Sequence, residues 1–453
     1  MKLGVLGEAL TPNRNSGDKP HPARPRLTVR LHLKGVTERD DSRGGPVAAN
    51  SSTARAGQLV VSKIDARSGA LGVVPTELDH ALVSSDFLLL DIADHIDTEY
   101  LSLYFASAAF RAACEQASQG STNRRRLNQR RFLEIPIPLP TKRGEQERIA
   151  SGLKANLDAV DRAVALGTDV RDLVPELYRS GLRHQLQNAR SLDGDDAVEQ
   201  LLEGLRLEYL NTGRRRRHAR PGVQEDRLHA PPFGLPPGFR WIQLGAAISL
   251  LVDCVHATPV FSDRPTQYLG LKTTNVRPNE LVLDERWYVD EAGWQRWTAP
   301  TLPRPRDLIL TREAPMGFVC QVPIEPKVCL TQRMVLLRTD HRYVLPEYLR
   351  HIINEPSFMD QANALSRSAP PHLNVRDIPN LWIPLCGPRT QHAMVEAFDS
   401  LWARRKVLEA TVGTRDRELA LLRRALINRT FALGGDRSTS MPLGIQEIPE
   451  VPG

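Results

Sequence analysis

The segment Ile135-Pro136-Ile137-Pro138-Leu139 is followed by Glu145-Gln146 and then by a long stretch with helical spacing of apolar residues. The same arrangement returns near the C-terminus. There, Leu381-Trp382-Ile383-Pro384-Leu385 is followed by Thr390-Gln391 and a second long apolar-periodic stretch. Each copy therefore predicts a globular region that ends in a proline-containing strand and continues into a long helix.

The segments upstream of these junctions are duplicated as well. Leu59-Val60-Val61-Ser62-Lys63 is matched by Leu308-Ile309-Leu310-Thr311-Arg312. Further matched pairs are Gly69 and Gly317, Val74-Pro75 and Val322-Pro323, Glu99-Tyr100-Leu101 and Glu347-Tyr348-Leu349, Phe110 and Phe358, and Leu127-Asn128 and Leu373-Asn374. The offset stays between 245 and 249 residues, whereas solenoid repeats have periods of roughly 20 to 50 residues. One module present twice predicts a target that also has two halves.

Length and charge narrow the class of target. A chain of 453 residues is long enough for two to four domains. It carries 60 Lys and Arg against 53 Asp and Glu, with a sequence pI near 9.3. This balance favours a protein with local basic surfaces and a polyanion as partner. A mildly basic protein without such a partner fits the composition equally well.

Cysteine usage and hydropathy indicate the compartment. The five cysteines are scattered without a C-x-x-C pair, which argues against a zinc module or a disulfide framework and favours a reducing environment. The twelve histidines include no H-x-x-x-H pair, so we expect no metal site. No apolar run is long enough to span a membrane, and the N-terminus lacks the apolar core of a signal peptide. We expect a cytoplasmic protein.

Changes of pattern along the chain predict an α+β fold with six parts. We expect globular domains at residues 1–140 and 238–388, long helices at 141–187 and 389–433, a linker with a short helix and the basic run Arg214 to Arg217 at 188–237, and a flexible tail at 434–453. Since about 40 helical residues extend for about 60 Å, each helix is longer than its domain. We therefore expect the two helices to pair as an antiparallel coiled coil with pseudo-twofold symmetry. The alternative is that each helix packs only on its own domain.

The heptad pattern predicts which helical residues are buried. Asn156, Gly167 and Gly181 interrupt the pattern in the first helix, and Arg405 and Arg415 interrupt it in the second. The predicted seam consists of Ile149, Leu153, Val160, Met394, Phe398, Leu401, Leu408, Val412, Leu419 and Leu422.

The order of these motifs resembles the specificity (S) subunits of type I restriction-modification systems. The resemblance covers nearly the whole chain. It is carried by the two strand-to-helix junctions, by Ser62 to Pro75, and by the opening Leu235 to Trp241. Each motif alone is a weak pattern, but their duplication in the same order at a constant offset is specific.

The resemblance implies a non-catalytic, DNA-binding subunit in bacterial defence and DNA methylation. In this family each globular domain is a target recognition domain that reads one half of a split double-stranded DNA sequence, and the helices fix the spacing. The helices also recruit two methyltransferase (M) subunits, and motor-nuclease (R) subunits complete the complex. S-adenosylmethionine, ATP and Mg are then expected on the partner subunits, with no cofactor bound by this chain.

Two departures from the family pattern stand out. The first copy begins almost at Met1 without the Pro-Gly-Phe-Arg-Trp lead of the second, so we align Leu3-Gly4 with Leu244-Gly245 and expect a trimmed or incomplete first domain. In addition, Thr390 stands where the first copy has Glu145.

The sequence lacks the motifs of several alternative functions. The sequence contains no glycine-rich phosphate loop and no N-P-P-[FY] methyltransferase motif. Asp307 with Glu325 and Lys327 imitates a nuclease site, but spacing this loose occurs by chance. A self-contained DNA-binding regulator or scaffold with duplicated domains remains the alternative to a specificity subunit.

Candidate DNA contacts are donors in turns near the duplicated strands, because Arg pairs with guanine and Asn with adenine. Any of them could instead bind phosphate or simply face solvent. The candidates are Ser62, Lys63, Arg67, Asn123, Arg124, Arg125, Arg126, Asn128 and Arg130 in the first copy, and Lys272, Thr273, Asn275, Arg312, Arg367, Ser368, His372 and Asn374 in the second. The run Arg214 to Arg217 is a better candidate for a linker or a nonspecific phosphate contact.

Overall fold

A computed structural model describes residues 2–13, 24–40, 51–119, 125–194, 196–212, 231–366 and 369–432. The chain divides into two compact units. Unit 1 comprises Met1–Thr168 and Gly413–Gly453, and unit 2 comprises Asp169–Val412. Each unit therefore contains one globular domain and part of each long helix. Within the described ranges, no helix combines the length and the hydropathy needed to cross a membrane.

The strands are short and most belong to antiparallel pairs. In chain order they are β1 Lys2–Val5, β2 Leu10–Pro12, β3 Leu27–Val29, β4 Val36–Glu38, β5 Ser52–Thr53, β6 Leu59–Ser62, β7 Leu71–Val73, β8 Leu82–Val83, β9 Phe87–Ile92, β10 Ser118–Gln119, β11 Arg126–Leu127, β12 Pro136–Leu139, β13 Phe239–Gln243, β14 Ile248–Asp253, β15 Tyr268–Leu271, β16 Val276–Arg277, β17 Glu280–Leu281, β18 Leu308–Arg312, β19 Met316–Gln321, β20 Lys327–Leu330, β21 Met334–Thr339 and β22 Trp382–Cys386.

The helices fall into two classes, short ones that cover the sheets and two that exceed 40 residues. In chain order they are α1 Leu6–Ala9, α2 Thr98–Phe105, α3 Ala108–Gln116, α4 Gln129–Leu133, α5 Arg143–Gln187, α6 Ala197–Thr212, α7 Leu244–Ala247, α8 Glu291–Thr298, α9 Pro346–Ile353, α10 Pro356–Leu365 and α11 Pro388–Thr430.

The central sheets of the two units have the same topology. In unit 1 the strand order is β2-β9-β6-β7, and in unit 2 it is β14-β21-β18-β19. All residues of β6 and β18 are buried, as expected for the middle strands of a sheet covered on both faces. A separate two-stranded pair, β1 with β12 and β13 with β22, closes each domain. The α+β fold with two duplicated domains, each followed by a long helix, is thus confirmed.

The two domains differ in the strand pairs that lie outside their central sheets. In unit 1, β5 pairs with β8 in antiparallel orientation, whereas in unit 2, β15 pairs with β20 in parallel orientation. Helix α8 packs there, and its Trp294 stacks on Tyr268 with ring centroids 4.8 Å apart. The shared part of the fold is therefore a scaffold on which each copy builds a different surface.

One predicted equivalence is wrong. Leu244 corresponds to Leu6 and not to Leu3, because the amide of Leu244 donates to the carbonyl of Leu381 and the amide of Leu6 donates to the carbonyl of Ile135. Leu6 is fully buried, whereas Leu3 is 60% exposed. Strand β1 fills the place that β13 occupies in unit 2. The sequence misled because a Leu-Gly pair occurs twice within this short segment.

A buried glutamine joins each domain to its long helix. In unit 1, Gln146 Nε2 donates to the carbonyl of Pro140 at 2.9 Å, and its Oε1 accepts from the amide of Asp97 at 2.8 Å. In unit 2, Gln391 Nε2 donates to the carbonyl of Cys386 at 2.9 Å, and its Oε1 accepts from the amide of Leu345 at 2.9 Å. These side chains fix the direction in which each helix leaves its domain.

A buried tyrosine holds the last strand of each domain beside this junction. The hydroxyl of Tyr100 on α2 donates to the carbonyl of Pro138, and that of Tyr348 on α9 donates to the carbonyl of Pro384. Both rings are completely buried. At these positions only the backbone carbonyl is needed for a hydrogen bond to the neighbouring helix. Proline, which has no amide hydrogen, is therefore accepted there.

In unit 1 the first half of α5 runs antiparallel to the end of α11. Arg423 pairs with Asp161, and the Arg415 side chain lies over Gly167. Both Gly167 and Arg415 interrupt the heptad pattern. The two interruptions are complementary, because the long Arg415 side chain occupies the space that a Cβ at residue 167 would fill.

In unit 2 the second half of α5 runs antiparallel to the start of α11. Tyr178 contacts Trp402 edge to face at 5.3 Å, and the Arg405 guanidinium lies 5.3 Å from the Tyr178 ring. Gly181 faces Leu401. Arg405, another interruption of the heptads, is thus accommodated by cation–π contacts.

A polar network ties these helices to the second domain. His351 on α9 is completely buried. Its Nε2 lies 2.8 Å from Asp399 Oδ1 of α11 and 2.9 Å from Arg350, and its Nδ1 lies 3.3 Å from the Tyr178 hydroxyl of α5. Burial lowers the pKa of His351 below its usual 6.5, outweighing the opposite effect of Asp399. The imidazole is therefore neutral near pH 7.

The predicted seam drifts away from the buried stripe. Ile149, Leu401, Leu419 and Leu422 are half-buried, and Leu153, Val160, Met394, Phe398 and Val412 are buried. Leu408 is 45% exposed, so its assignment to the seam was wrong. In α5, Leu157 and Tyr178 are buried where heptads predict Asn156 and Leu177. An α-helix has 3.6 residues per turn, so a strict heptad register drifts by about 20° per repeat.

We expect burial, and not heptad position, to decide the cost of truncating these helices. Leu182→Ala removes a fully buried side chain and should destabilise the protein by about 2 to 5 kcal/mol. Leu408→Ala, the matched control, should change stability by less than about 0.5 kcal/mol. The measurement is urea unfolding of the full chain. Equal losses for both variants would restore Leu408 to the seam.

The buried imidazole also makes a pH-dependent contribution. A base whose pKa is depressed in the folded state makes its full contribution to folding stability above its unfolded pKa of about 6.5. This contribution falls progressively as the pH drops below that value. The stability difference between the wild type and His351→Gln should therefore shrink between about pH 7 and pH 5. Thermal unfolding across this range tests the prediction, with the exposed His184→Gln as control. A difference that grows toward acid pH would contradict it.

Candidate nucleic-acid interface

Several predicted contacts meet at one edge of the unit 1 sheet. The amide of Lys63, just past β6, donates to the carbonyl of Asp86 in the turn before β9, and the amide of Leu127 donates to the carbonyl of Lys63, both at 2.7 Å. These bonds bring the end of β6, the β8–β9 turn and β11 together. Arg126 of β11 then pairs with Asp86.

This edge presents charged groups to solvent. The Arg126 side chain is 57% exposed. Arg125 lies 3.4 Å from Glu115 and is 38% exposed. Lys63 Nζ donates to the carbonyl of Ser85 at 2.6 Å. Such exposed ion pairs contribute little to stability, so these cations can exchange their partners for DNA groups at small cost.

Other unit 1 candidates have structural roles. Ser62 is 6% exposed, and its hydroxyl accepts from the amides of Ile64 and Asp65 in the turn after β6. The Asn128 side chain caps α4 by accepting from the amide of Arg131 at 3.1 Å. Arg130 on α4 is 90% exposed and pairs with Glu134. Arg67 lies away from these groups, in a cleft that it shares with residues of α2, α3 and α11.

Unit 2 builds the corresponding edge with the same backbone bonds. The amide of Arg312, at the end of β18, donates to the carbonyl of Arg333, and the amide of Leu373 donates to the carbonyl of Arg312, both at 2.9 Å. The side chains differ from those in unit 1. Arg312 stands in place of Lys63, and His372 in place of Arg126.

Arg312 holds this edge together from inside. It is 7% exposed. Its Nε donates to the carbonyl of Leu373 at 3.1 Å, and its two terminal nitrogens reach Asp253 and His372, each at 2.9 Å. The planar guanidinium can serve three acceptors at once. Arg312 therefore positions the segment around His372, and it does so by contacts that leave it little access to a base.

The contacts of His372 define its tautomer. Because Nε2 accepts from Arg312, Nδ1 carries the proton and faces Glu313 at 3.3 Å. Glu313 also pairs with Arg333 at 2.6 Å, and Arg333 is 50% exposed. Asn374 is exposed and donates to Asp377 at 3.3 Å.

Three exposed donors at this edge were missed by sequence reasoning. They are His256, which pairs with Asp253 at 2.9 Å and is 66% exposed, Gln332, which donates to Thr258 at 3.0 Å, and Arg333. The sequence carries no local signal for them. Strands β14, β18 and β21 are neighbours in the sheet although they are far apart along the chain. This arrangement brings the segment after β14, which carries His256, to the turn before β21, which carries Gln332 and Arg333.

The predicted Lys272 turn has a mostly structural role. The Lys272 ammonium lies 3.0 Å from the centre of the Trp287 ring. The Thr273 hydroxyl donates to the carbonyl of Ala314 at 2.9 Å, which joins this turn to the end of β18. Asn275 is 4% exposed and donates to the carbonyl of Val282. It is thus part of the core rather than a base reader.

Some candidates lie outside the described residues. They are Asn123, Arg124, Arg367, Ser368, the basic run Arg214 to Arg217 and the tail at 434–453.

The chemistry of both edges suits recognition. Cationic donors alternate with carboxylates, which matches the donors and acceptors on base edges in the major groove. Burial raises the pKa of Cys114, Cys320, Cys329 and Cys386 to about 12, so these thiols are neutral and poor nucleophiles. Asp307 of the nuclease-like pattern is buried and paired with Arg338 at 2.6 Å. Among the described residues, no group of three His, Cys, Asp or Glu side chains is arranged to hold a metal ion.

A family model agrees with this interpretation. Residues 62–164 match the type I restriction modification DNA specificity domain. The match begins at the end of β6, spans the proposed edge of unit 1 and continues into α5. It confirms the resemblance recognised from the duplicated motifs.

Solved structures share the fold at low sequence identity. A chain from a structure of a type I R-M system, concerned with complex assembly and conformational transition, aligns over 95% of this chain and 97% of its own, with 16% identity and a TM-score of 0.63. The HsdS subunit from Thermoanaerobacter tengcongensis aligns over 95% and 96%, with 16% identity and a TM-score of 0.52. No curated protein matches the sequence.

We expect Arg312→Gln to damage the unit 2 edge from within. The change leaves Asp253 without its buried partner and should cost about 3 kcal/mol. Arg333→Gln, which removes an exposed cation from the same edge, should change stability by less than about 0.5 kcal/mol. Urea unfolding of the two variants makes the comparison. Equal stability of the two variants would contradict the structural role assigned to Arg312.

Proposed function

We propose that this type I restriction-modification specificity subunit reads a double-stranded DNA target in two halves, one at the sheet edge of each unit. One observation carries the proposal. The two edges are built by the same backbone bonds, at Lys63 and at Arg312, yet they present different side chains. A common scaffold with different polar groups is what two different half-sites require.

The assignment of roles follows from exposure. The exposed groups Arg126, Arg125 and Lys63 in unit 1, and His256, Gln332 and Arg333 in unit 2, are the proposed contacts. Base edges confer sequence preference, whereas phosphate contacts by the same side chains only position the duplex. Ser62, Asn275 and Arg312 then act by shaping the edge.

We assign the spacing between half-sites to α5 and α11. Each helix starts at a junction that Gln146 or Gln391 ties to the last strand of its own domain. A recognition edge and the beginning of its helix therefore belong to one connected body. Antiparallel contacts between the helices, seen separately in each unit, support their role as a spacer.

The same helices are the proposed docking surface for methyltransferase subunits. On α5, Val170, Leu173 and Leu177 are 39%, 57% and 63% exposed. Their spacing places them on one face of the helix. An exposed apolar stripe of this kind is typical of a protein–protein contact. Two methyltransferase subunits, and motor-nuclease subunits in the restricting complex, complete the proposed assembly.

Catalysis belongs to the partners in this proposal. The chain is a non-catalytic subunit, and S-adenosylmethionine, ATP and Mg bind to the partner subunits. The complex works in the cytoplasm, where its DNA substrate is found.

The most direct test of function is the pattern of methylated bases. Cells that express this chain with its methyltransferase should carry one methylated DNA sequence with two specific halves and an unspecified spacer between them. Methylation-aware sequencing measures this pattern. A continuous motif, or methylation without sequence preference, would contradict the proposal.

The docking surface has its own test. Leu177→Asp places a charge on the exposed stripe and should weaken association with the methyltransferase by at least about tenfold, or 1.4 kcal/mol, with no loss of folding. Thr168→Asp adds the same charge to an exposed polar position of α5 and serves as control. Association is measured by analytical ultracentrifugation. Equal affinity of both variants would place the methyltransferase elsewhere.

A further inference from the structure

Unit 1 contains an open cleft of about 800 Å³ that is lined by Arg67 but by none of the proposed contacts Lys63, Arg125 and Arg126. The segment after β6, helices α2 and α3, and the end of α11 form its walls. Leu33, Phe105, Phe110 and Ile427 contribute apolar surface. The cleft is large enough for a small ligand or for a stretch of nucleic-acid backbone.

Arginines dominate the charge of this cleft. Arg67, Arg111, Arg423 and Arg424 line it, against one carboxylate, Glu99. Lys154 pairs with Glu99 at 2.8 Å, so this carboxylate is already neutralised.

The pairing of the four arginines is uneven. Arg423 pairs with Asp161. In the described part of the chain, Arg67, Arg111 and Arg424 form no ion pair with a carboxylate. Guanidinium groups gathered in a concave site repel one another and create a positive potential that attracts anions.

The second copy of the module provides an internal comparison. Unit 2 has a cleft of about 550 Å³ at the corresponding place, beside α9, α10 and the middle of α5. Offset matching places Met359 where unit 1 has Arg111.

The unit 2 cleft has a smaller excess of positive charge, since Arg179, Arg277 and Arg405 line it together with Glu176 and Asp360. Arg179 pairs with Glu176 at 2.7 Å, and Arg405 pairs with Glu409 at 2.9 Å. Asp360, which also lines this cleft, lies 3.5 Å from Arg183. The shared fold therefore forms the cleft but does not require as large an excess of arginine as unit 1 has, with four arginines against one carboxylate. The excess in unit 1 calls for another explanation.

We propose that the unit 1 cleft is a phosphate-binding site. Arginine binds phosphate through two parallel N–H donors, and such charge-assisted bonds are about twice as strong as neutral ones. Arg111, Arg424 and Arg67 supply the donors. The phosphate comes either from the DNA backbone beyond the bases that are read, or from a free nucleotide or polyphosphate. The first source rests on the function proposed above, whereas the second does not.

The test uses the full chain and the double variant Arg111→Gln with Arg424→Gln. Two probes separate the sources. The first is a fluorescent DNA duplex of unrelated sequence, measured by anisotropy over a range of salt concentrations. The second is inorganic triphosphate, measured by calorimetry. Arg417→Gln on α11 and Arg179→Gln in the unit 2 cleft are matched controls, since neither residue lines the unit 1 cleft. Circular dichroism verifies the folding of each variant.

If the DNA backbone is the source, the double variant should lower the slope of log affinity against log salt by about two, one for each lost phosphate contact. If free phosphate is the source, triphosphate affinity should fall by at least about tenfold while DNA binding is unchanged. Unchanged binding of both probes would overturn the site, as would equal losses in the controls. Failure of the half-site reading would appear separately, as a wild-type methylation motif that is not split.

Discussion

The buried amide at the start of each long helix is the constraint on which the architecture depends. Gln146 and Gln391 are at most 1% exposed. Each accepts from a backbone amide of its domain and donates to a carbonyl at the end of the last strand. Leaving either end of such an amide unpaired in the interior would cost about 1 to 3 kcal/mol. Strand, helix and domain are therefore joined in one orientation, and the sheet edge that carries the polar groups is fixed to the start of the helix.

On this common frame the two copies vary what they present. Lys63 and Arg312 occupy equivalent positions with the same backbone bonds, but the first is partly accessible and the second is buried as a support for His372. The exposed groups around them differ in charge and reach. The clefts of the two units also differ, since four arginines and one carboxylate line the cleft in unit 1, whereas three arginines and two carboxylates line the cleft in unit 2. Duplication thus preserves the framework while the surfaces diverge, as two readers of different sequences require.

The sequence predicted the framework better than the surface. Duplicated anchors identified the strands and junctions, because buried apolar segments and the Gln residues have local signatures. Contacts between segments that are distant along the chain have no local signature. His256 and Gln332 were therefore missed, and Asn275 was mistaken for an exposed donor. Leu408 was misplaced for another reason, since a heptad register drifts on an α-helix with 3.6 residues per turn. Gly167 and Arg415 each interrupt the heptad pattern of their own helix, but in the structure they lie against each other.

Exchange of one domain is the most direct test of whether each copy of the module reads one half-site. Residues 1–140 would be replaced by the equivalent domain of a type I specificity subunit with a different known target, and the methylated bases would be sequenced in cells that carry the matching methyltransferase. We expect one half of the motif to become that of the donor, while the half read by residues 238–388 and the spacer length stay the same. A change in both halves, or in neither, would contradict the assignment of one reader to each copy of the module.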